Sequence, residues 1–351
     1  PLVIGGRRRA AAEGNEFPTL REYAGRGVIT TATYEARRFG LNSGMGLMKA
    51  AKLAPDALLL PADFDEYRRY SRMFKDAVRA VAPQIEDRGI DEIYIDLTDL
   101  VISGAAEGPP DPWARARNAA RDIQRAVREA TGLSCSIGVT PNKLLSKIAS
   151  ELDKPGGLTV ITEQDIPARI WPLPVRKVNG IGPKANARLE SLGISTIGEL
   201  AKAGRALLIE RFGASFGTWM HEAAHGRDER AVVTYSEPKS ISRETTFAED
   251  LHAVRDRERL SRIFTELCVK LAGDLARKGY AGRTIGLKLR YDNFTTVTRD
   301  LTLDHPTADA AAIRHAAGVC LKRVPLDRRI RLLGVRVGSL SKVEVPASSR
   351  A

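Results

Sequence analysis

Two adjacent carboxylates immediately precede a short apolar strand, and this feature constrains the fold more than any other. Residues Ile93 to Leu97 alternate Ile, Tyr, Ile, Asp and Leu, which is typical of a strand with one apolar face. In a regular strand the side chains of Asp91 and Glu92 would point to opposite faces. The two carboxylates can therefore belong to one site only if they lie in a turn, and Gly89 makes a turn possible there. Divalent cations, most naturally Mg²⁺, make such a pair tolerable. Taken alone, however, the pair is more often a solvated loop.

Composition indicates a partner of negative charge. With 351 residues the chain is long enough for about two to four small domains. A formal net charge of +12 and an isoelectric point of about 9.7 favour nucleic acid as partner, and a generic basic surface is the alternative. The three cysteines, Cys135, Cys268 and Cys320, form neither a metal-binding spacing nor a disulfide framework. These cysteines fit a reducing cytosol, so we expect a cytoplasmic protein. No apolar run has the length of a membrane span, so we expect no membrane partner. We also expect a monomer.

A second motif joins a strand to a short helix. The β-branched run at residues 28–33 predicts a strand, and residues 34–39 predict a helical turn that ends at a glycine. The backbone N–H groups at such a junction can bind an anion. Thr31, Tyr34 and Arg37 would add a hydroxyl, a phenol and a guanidinium for one phosphate cluster. The alternative is an exposed amphipathic helix.

Alternating strands and helices fill the rest of the N-terminal half. Residues 1–6 read as a strand, and the Arg-rich residues 7–24 are predicted to be an exposed, inserted loop with a short helix at most. Further elements are expected at residues 45–53 (helix), 57–60 (strand), 65–82 (helix), 111–131 (helix), 134–139 (strand), 140–152 (helix, capped by Thr140) and 158–161 (strand). A tight loop at residues 153–157 presents Lys154. This order predicts an α+β palm.

A helix-hairpin-helix pattern follows a change of composition at Trp171. Residues 178–184 join two helical stretches. Gly180 and Gly182 would bring backbone amides close to a nucleic-acid phosphate, and Lys184 would add charge. A plain helical turn is the alternative.

The C-terminal third has the predicted order β-α-β-β-α-β, after a polar linker. Basic residues alternate along its strands and are predicted to lie on one sheet face that follows a DNA backbone, with a solvated face as the alternative. The residues expected to bind DNA are Lys239, Arg243, Arg290 and Arg336, accompanied by Arg283, Lys288, Arg299 and Arg331.

Together these motifs resemble the Y-family of translesion DNA polymerases, most closely its bacterial branch. The resemblance spans essentially the whole chain through five ordered motifs, at Thr31 with residues 34–37, residues 91–96, residues 136–139 with 142–143, residues 154–157 and residues 180–182. It implies low-fidelity, template-directed DNA synthesis with primer-template DNA and a deoxynucleoside triphosphate as partners. By matched position, Asp91 and Glu92 would be the catalytic residues and would hold two Mg²⁺ ions. The triphosphate would be bound by Thr31, Tyr34, Arg37 and Lys154.

The resemblance also implies a palm, fingers, thumb and little finger. We predict a palm strand plus inserted loop at residues 1–24, fingers at 25–84, palm at 85–170, helix-hairpin-helix thumb at 171–230, linker at 231–238, little finger at 239–340 and a tail at 341–351.

The sequence departs from the family pattern at its start. Family members open with an Asp that completes the metal site and then an aromatic residue that excludes ribonucleotides. That segment would precede Pro1, so we expect the natural polypeptide to begin upstream and the chain as printed to have little or no activity. No clear clamp-binding peptide follows Val337, so a sliding clamp stays open as a partner. A non-catalytic DNA-binding scaffold and a structure-specific nuclease are the two alternative functions.

Overall fold

The computed structural model describes residues 1–6, 17–103 and 111–343. The Arg run at residues 7–9 and most of the predicted tail therefore lie outside the described residues. The chain forms two compact units, one of residues Pro1–Ala62 with Glu237–Ala351 and the other of residues Asp63–Ser236. No described helix has both the length and the apolar character needed to cross a membrane.

The N-terminal part of the first unit is a three-stranded sheet with two short helices. Its strands have the order β2-β1-β3, with β1 antiparallel to β2 and parallel to β3. The bounds are β1 Leu2–Gly5, β2 Ile29–Ala32, α1 Tyr34–Arg38, α2 Leu47–Leu53 and β3 Leu58–Leu60. Their apolar side chains enclose a core that includes Val3, Ile29 and Leu47.

Two expectations for residues 1–24 are corrected here. The opening strand was predicted to belong to the palm, but it pairs with β2 and β3, whose residues were assigned to the fingers. The loop was predicted to be exposed, with a short helix at most; the short 3-10 helix Leu20–Glu22 is present, but its Leu20 is completely buried. The backbone N–H of Leu20 donates to the carbonyl of Ala57 at 2.9 Å, which ties this segment to the entry of β3.

The second unit contains two strand pairs, the helices that cover them and a helical region. Strands β4 and β5 pair antiparallel, and β6 and β7 pair parallel. The bounds are α3 Phe64–Val81, β4 Ile85–Asp87, β5 Ile93–Ile95, α4 Thr98–Ser103, α5 Pro112–Thr131, β6 Ile137–Val139, α6 Lys143–Ala149, β7 Leu158–Val160, α7 Pro183–Glu190, α8 Ile197–Lys202, α9 Arg205–Phe212 and α10 Ala214–Ala224. A π-helical turn, Ile166–Ile170, precedes the helical region.

Local sequence signals explain where these helices begin and end. The carboxylate of Asp111 accepts from the N–H groups of Trp113 and Ala114 at the start of α5, and Gly132 ends that helix in the left-handed region. The prediction that Thr140 caps α6 is wrong. The cap is Asn142, two residues closer to the helix, whose side chain accepts from the N–H of Leu145 at 3.1 Å.

The C-terminal part of the first unit has the predicted β-α-β-β-α-β order. It consists of β8 Ser240–Leu251, α11 Arg257–Lys278, β9 Tyr280–Tyr291, β10 Thr296–Thr307, α12 Ala310–Leu321 and β11 Ile330–Lys342. The sheet order is β10-β9-β11-β8, and all neighbours are antiparallel. Both helices pack on one face of this sheet around Phe264, Leu271 and Cys320, which leaves the other face open.

Candidate active site and nucleic-acid interface

The two candidate metal ligands lie in a hairpin turn. Strands β4 and β5 are joined by residues 88–92, and the N–H of Arg88 donates to the carbonyl of Glu92 at 3.0 Å. Gly89 has φ +143°, a conformation that side chains rarely adopt. Asp91 and Glu92 are both exposed, and within the described ranges Asp91 has no hydrogen bond or ion pair. The turn therefore presents two carboxylates to solvent side by side.

Glu92 begins a series of alternating charges that passes through Lys147 on α6 to the residues after that helix. Its carboxylate accepts a short hydrogen bond from Lys147. Lys147 lies 3.8 Å from Glu151, and Glu151 lies 2.5 Å from Lys154. The series connects two residues predicted from the sequence, Glu92 and Lys154, and it adds Lys147 and Glu151, which sequence reasoning missed.

The pKa values along this series move in the direction that favours charge. Partial burial lowers the pKa of Lys147, but hydrogen bonding to Glu92 and the charges of Glu92 and Glu151 outweigh it, so the pKa is raised. Burial raises the pKa of Glu151, but hydrogen bonding to Lys154 and nearby lysine charges outweigh it, so the pKa is lowered. Both groups are therefore ionised at neutral pH.

The loop that carries Lys154 is held by a residue on the preceding long helix. The side-chain amide of Gln124, on α5, donates to the carbonyls of Cys135 at 2.9 Å and Gly156 at 3.1 Å. The N–H of Gly156 donates to the hydroxyl of Ser136 at 2.9 Å. Gln124 thus ties the 153–157 loop to the start of β6. The one signal in the sequence for this contact was a Gln on the inner side of a helix that is otherwise rich in Ala and Arg.

The three candidate phosphate ligands of the first unit gather at the junction of β2 and α1. Thr31 lies on β2 opposite Ile4. The Arg37 Nε atom donates to the carbonyl of Ala32 at 3.0 Å, and its guanidinium carbon lies 5.3 Å from the centre of the Tyr34 ring. These contacts hold Arg37 and Tyr34 together as neighbouring exposed groups. Asp91, Glu92 and Lys154 belong to the other compact unit.

The donor chemistry of the carboxylate turn fits Mg²⁺. Among the described residues no group of three or more His, Cys, Asp or Glu side chains could hold a metal ion. Mg²⁺ is commonly held by one or two carboxylates together with water and substrate phosphates, so a complete protein cage is not required. Asp91 and Glu92 supply oxygen ligands of that kind at an exposed position.

The helix-hairpin-helix turn is shaped by a close approach of backbone to an aromatic ring. Gly180 has φ +117°, and a Cβ atom there would lie 2.6 Å from the Trp219 ring. Gly182 is the residue before α7, and Lys184 lies exposed in its first turn. Trp219 stacks on Phe216 with ring centres 5.3 Å apart. The predicted Gly180 and Gly182 therefore form a turn whose backbone is open on one side and supported by Trp219 on the other.

The basic residues of the C-terminal sheet do not share one face, contrary to the prediction. On the open face, Arg336 of β11 lies opposite Gly286 of β9, and Arg290 lies on the same face further along β9. Arg243 of β8 lies opposite Val335, whose side chain belongs to the helix-facing core. It forms an ion pair with Asp274 of α11. Arg243 is thus removed from the predicted DNA-binding face, because its position in the strand has the opposite parity.

The open face combines three cations with small polar residues. Lys288 pairs with Glu244 at 2.9 Å, and Arg336 pairs with Asp300 at 2.8 Å. The Arg290 Nε atom donates to the Thr296 hydroxyl at 2.9 Å. The neighbouring positions on this face are Ser240, Ser242, Thr246, Thr284, Gly286, Gly334, Gly338, Thr298 and Thr302. A flat surface of this composition allows close approach to a phosphate backbone.

Comparison with known proteins identifies the class of protein. The impB/mucB/samB family model matches residues 1–151, the HHH motif of the IMS family matches residues 163–194, and the C-terminal domain of the same family matches residues 238–350. The chain belongs to the impB/mucB/samB family, and the predicted relationship to Y-family polymerases is confirmed.

The relatives that this chain resembles are named DNA polymerase IV. DNA polymerase IV of Alkalilimnicola ehrlichii is 40% identical over 343 residues, which cover 95% of this chain and 93% of the relative. DNA polymerase IV of Streptomyces coelicolor is 39% identical over 95% of this chain and 69% of its own length. A solved Y-family DNA polymerase chimera, Dbh-Dpo4(243-245)-Dbh, has a TM-score of 0.78 and covers 98% of this chain and 92% of its own. Since that structure is 23% identical, it supports the fold alone.

Proposed function

We propose that this protein is a template-directed DNA polymerase that copies damaged templates with low fidelity. Relatives named DNA polymerase IV support the class of reaction. Within the chain, the observation that carries the proposal is the alternating series from Glu92 through Lys147 and Glu151 to Lys154. It links the carboxylate turn to the lysine expected at the triphosphate.

In this mechanism Asp91 and Glu92 would hold two Mg²⁺ ions with the help of substrate phosphates. When bound, the ions would activate the primer 3′-hydroxyl and offset charge on the departing pyrophosphate. Lys147 donates a hydrogen bond to Glu92 at the turn. Lys154, Arg37 and the hydroxyl groups of Thr31 and Tyr34 would bind the phosphates of the incoming nucleotide and keep them in line with the primer.

The DNA would be held by surfaces that do not read its sequence. The backbone of the Gly180 to Gly182 turn and Lys184 would contact one phosphate region, and Arg290, Arg336 and Lys239 would contact another. Because these groups lie apart from the carboxylate turn in the sequence, DNA affinity and catalysis should be separable by substitution.

Primer extension tests the proposal directly. The protein, produced in the length that its natural reading frame encodes, is incubated with Mg²⁺, four deoxynucleotides and a primer on an undamaged or abasic template. We expect distributive extension on both templates, without removal of mismatched primer ends. No extension, with primer-template binding intact, would contradict the proposal and support the non-catalytic scaffold. Cleavage of the DNA instead would support the nuclease.

Arg37 is expected to contribute to nucleotide binding more than to DNA binding. Arg37→Ala removes a guanidinium from the Tyr34 neighbourhood, so the KM for the nucleotide should rise roughly tenfold while duplex affinity changes by less than about twofold. Steady-state kinetics and fluorescence anisotropy measure the two quantities. Arg38→Ala, at the next exposed position of α1, is the matched control. A larger loss in duplex affinity than in nucleotide KM would place Arg37 on the DNA.

Gly180 is expected to be essential for the shape of the thumb hairpin. Gly180→Ala places a methyl group against the Trp219 ring and onto an unfavourable φ, so the turn must move and duplex affinity should fall about five- to tenfold. Gly182→Ala is the control, because a Cβ atom there meets nothing within 4 Å. Equal affinities of the two variants, measured by anisotropy, would exclude this turn from the DNA interface.

A further inference from the structure

An unusual aromatic residue occupies the turn between β9 and β10. The N–H of Tyr291 donates to the carbonyl of Thr295 at 2.9 Å, and the N–H of Phe294 donates to the carbonyl of Tyr291 at 3.0 Å. Phe294 has φ +66°, in the left-handed region. The last position of a short hairpin turn of this kind is normally a glycine or an asparagine, because a bulky side chain there strains the backbone. The chain places a phenylalanine at a position that disfavours it.

Packing does not explain this choice. Phe294 is 62% exposed and lies outside the hydrophobic core of the C-terminal sheet. Its ring lies on the guanidinium of Arg331, 4.5 Å from the ring centre. The Arg331 side chain is 20% exposed and lies 3.9 Å from the Asp250 carboxylate, so the guanidinium that supports the ring sits near an opposite charge. One face of the ring is thus fixed on a cation while much of the ring remains open to solvent.

The surroundings of the ring are cationic. Arg290 lies at the end of β9, next to the turn, with its Nε atom bonded to Thr296. Arg328 pairs with Asp292 at 3.2 Å, within the turn itself. A planar ring backed by one guanidinium, in a turn with Arg290 beside it in the chain and Arg328 paired to one of its residues, matches the chemistry of a nucleobase with its phosphates. Aromatic stacking on a base needs no sequence information, and the arginines can bind the backbone on either side.

We propose that Phe294 is a stacking platform for an unpaired base of the bound DNA. The inference rests on the proposed function, in which the chain binds primer-template DNA, and it adds a contact to a base where the other DNA contacts are to phosphates. The base is unpaired because the faces of bases inside a duplex are covered by their neighbours. The strained backbone is retained because it holds the ring outward.

The test separates a binding role from a structural role by using glycine. Phe294→Gly should leave the melting temperature unchanged or raise it, because glycine adopts φ +66° without strain. The same variant should bind a primer-template with a 5′ single-stranded overhang about tenfold more weakly, as anisotropy measures, while binding of a blunt duplex changes by less than about twofold. Phe294→Trp should retain the affinity for the overhang. Val254→Ala, which removes another exposed apolar side chain from the same unit, should change neither affinity.

A fluorescent base analogue supplies an independent readout. With 2-aminopurine at successive positions of the overhang, the wild-type protein should quench one position and Phe294→Gly should not. A lower melting temperature of Phe294→Gly with unchanged affinity would show a structural residue and overturn the inference. An equal loss for overhang and blunt duplex would overturn it as well. If the wild-type protein bound neither DNA, the proposed function itself would fail. If the wild-type protein bound both DNAs and Phe294→Gly bound them equally well, only the inference about Phe294 would fail.

Discussion

Replacing either carboxylate of the hairpin turn should abolish nucleotide incorporation. We expect Asp91→Ala and Glu92→Ala each to reduce primer extension at least about a thousandfold, because the two proposed Mg²⁺ ions would then share a single carboxylate of the turn, too few ligands to hold both ions in place. Affinity for primer-template DNA should stay within about tenfold of the wild type, since the basic surfaces supply most of the binding. Single-nucleotide incorporation and anisotropy measure the two quantities on the same preparations.

Two controls make this result specific to the metal ligands. Asp99→Ala removes an exposed carboxylate of α4, the next helix in the chain, and should have almost no effect on incorporation. Lys147→Met removes the partner of Glu92 but leaves the carboxylate, and should reduce incorporation far less than Glu92→Ala. Substantial residual incorporation by Asp91→Ala or Glu92→Ala would refute the assignment of these residues.

Local patterns predicted the elements of the fold well where the information lies within one segment. The alternation from Ile93 to Ile95 and Gly89 before it predicted a strand that begins at a turn, and β5 begins at Ile93. The apolar stripe at residues 111–131 predicted α5, which runs from Pro112 to Thr131 between an Asp cap and a terminal glycine. In each case the period of apolar residues and the cap residues are properties of neighbours in the sequence.

Features that depend on distant partners were not predictable in the same way. Whether a basic residue of a strand faces the helices or the open side depends on the register of the whole sheet, and Arg243 and Arg336 have opposite orientations for that reason. The assignment of the opening strand to the palm did not foresee its pairing with β2 and β3, because an apolar strand does not specify which strands it pairs with. Lys147 lies 55 residues from Glu92, and no pattern on α6 indicates that contact.

The interior of the second unit contains an ion pair whose disruption should destabilise the fold. The Lys143 Nζ atom lies 2.6 Å from the Glu86 carboxylate, and both side chains are 9% exposed. The pair also holds the start of the predicted linker, because Val233 donates its N–H to Glu86 at 2.9 Å and Lys143 donates to the carbonyl of Ala231 at 2.7 Å. Residues 231–233 are therefore anchored to the body of the unit rather than free.

Removing one partner should cost far more than removing both. Lys143→Met removes the buried partner of Glu86, which keeps only the exposed Arg88 at 3.3 Å, so we expect a loss near the lower end of about 3–5 kcal/mol in the free energy of unfolding. Glu86→Gln should cost a similar amount, and the double variant Glu86→Gln with Lys143→Met should cost clearly less than the sum of the two. Glu66→Gln breaks an exposed pair with Arg69 and should cost under about 1 kcal/mol, as urea denaturation measures. Additive losses in the double variant would show that the two side chains do not act as a pair.

The pH dependence of stability follows from the same pair. Burial alone raises the pKa of Glu86, but hydrogen bonds from Lys143 and the N–H of Val233 outweigh it, so the pKa in the folded protein lies below its ordinary value. A carboxyl group with a lowered pKa contributes stability above its unfolded pKa, and this contribution disappears as the pH falls from there through the folded pKa. Between about pH 5 and pH 3 the wild-type protein should therefore lose more stability than the double variant does. Limited proteolysis after Arg230 should accelerate over the same range, because protonated Glu86 releases both Lys143 and the backbone at Val233. Equal losses of stability in the two proteins as the pH falls would contradict this prediction. The linker would then be held by the backbone contact of Ala231 and its neighbours rather than by the charge on Glu86.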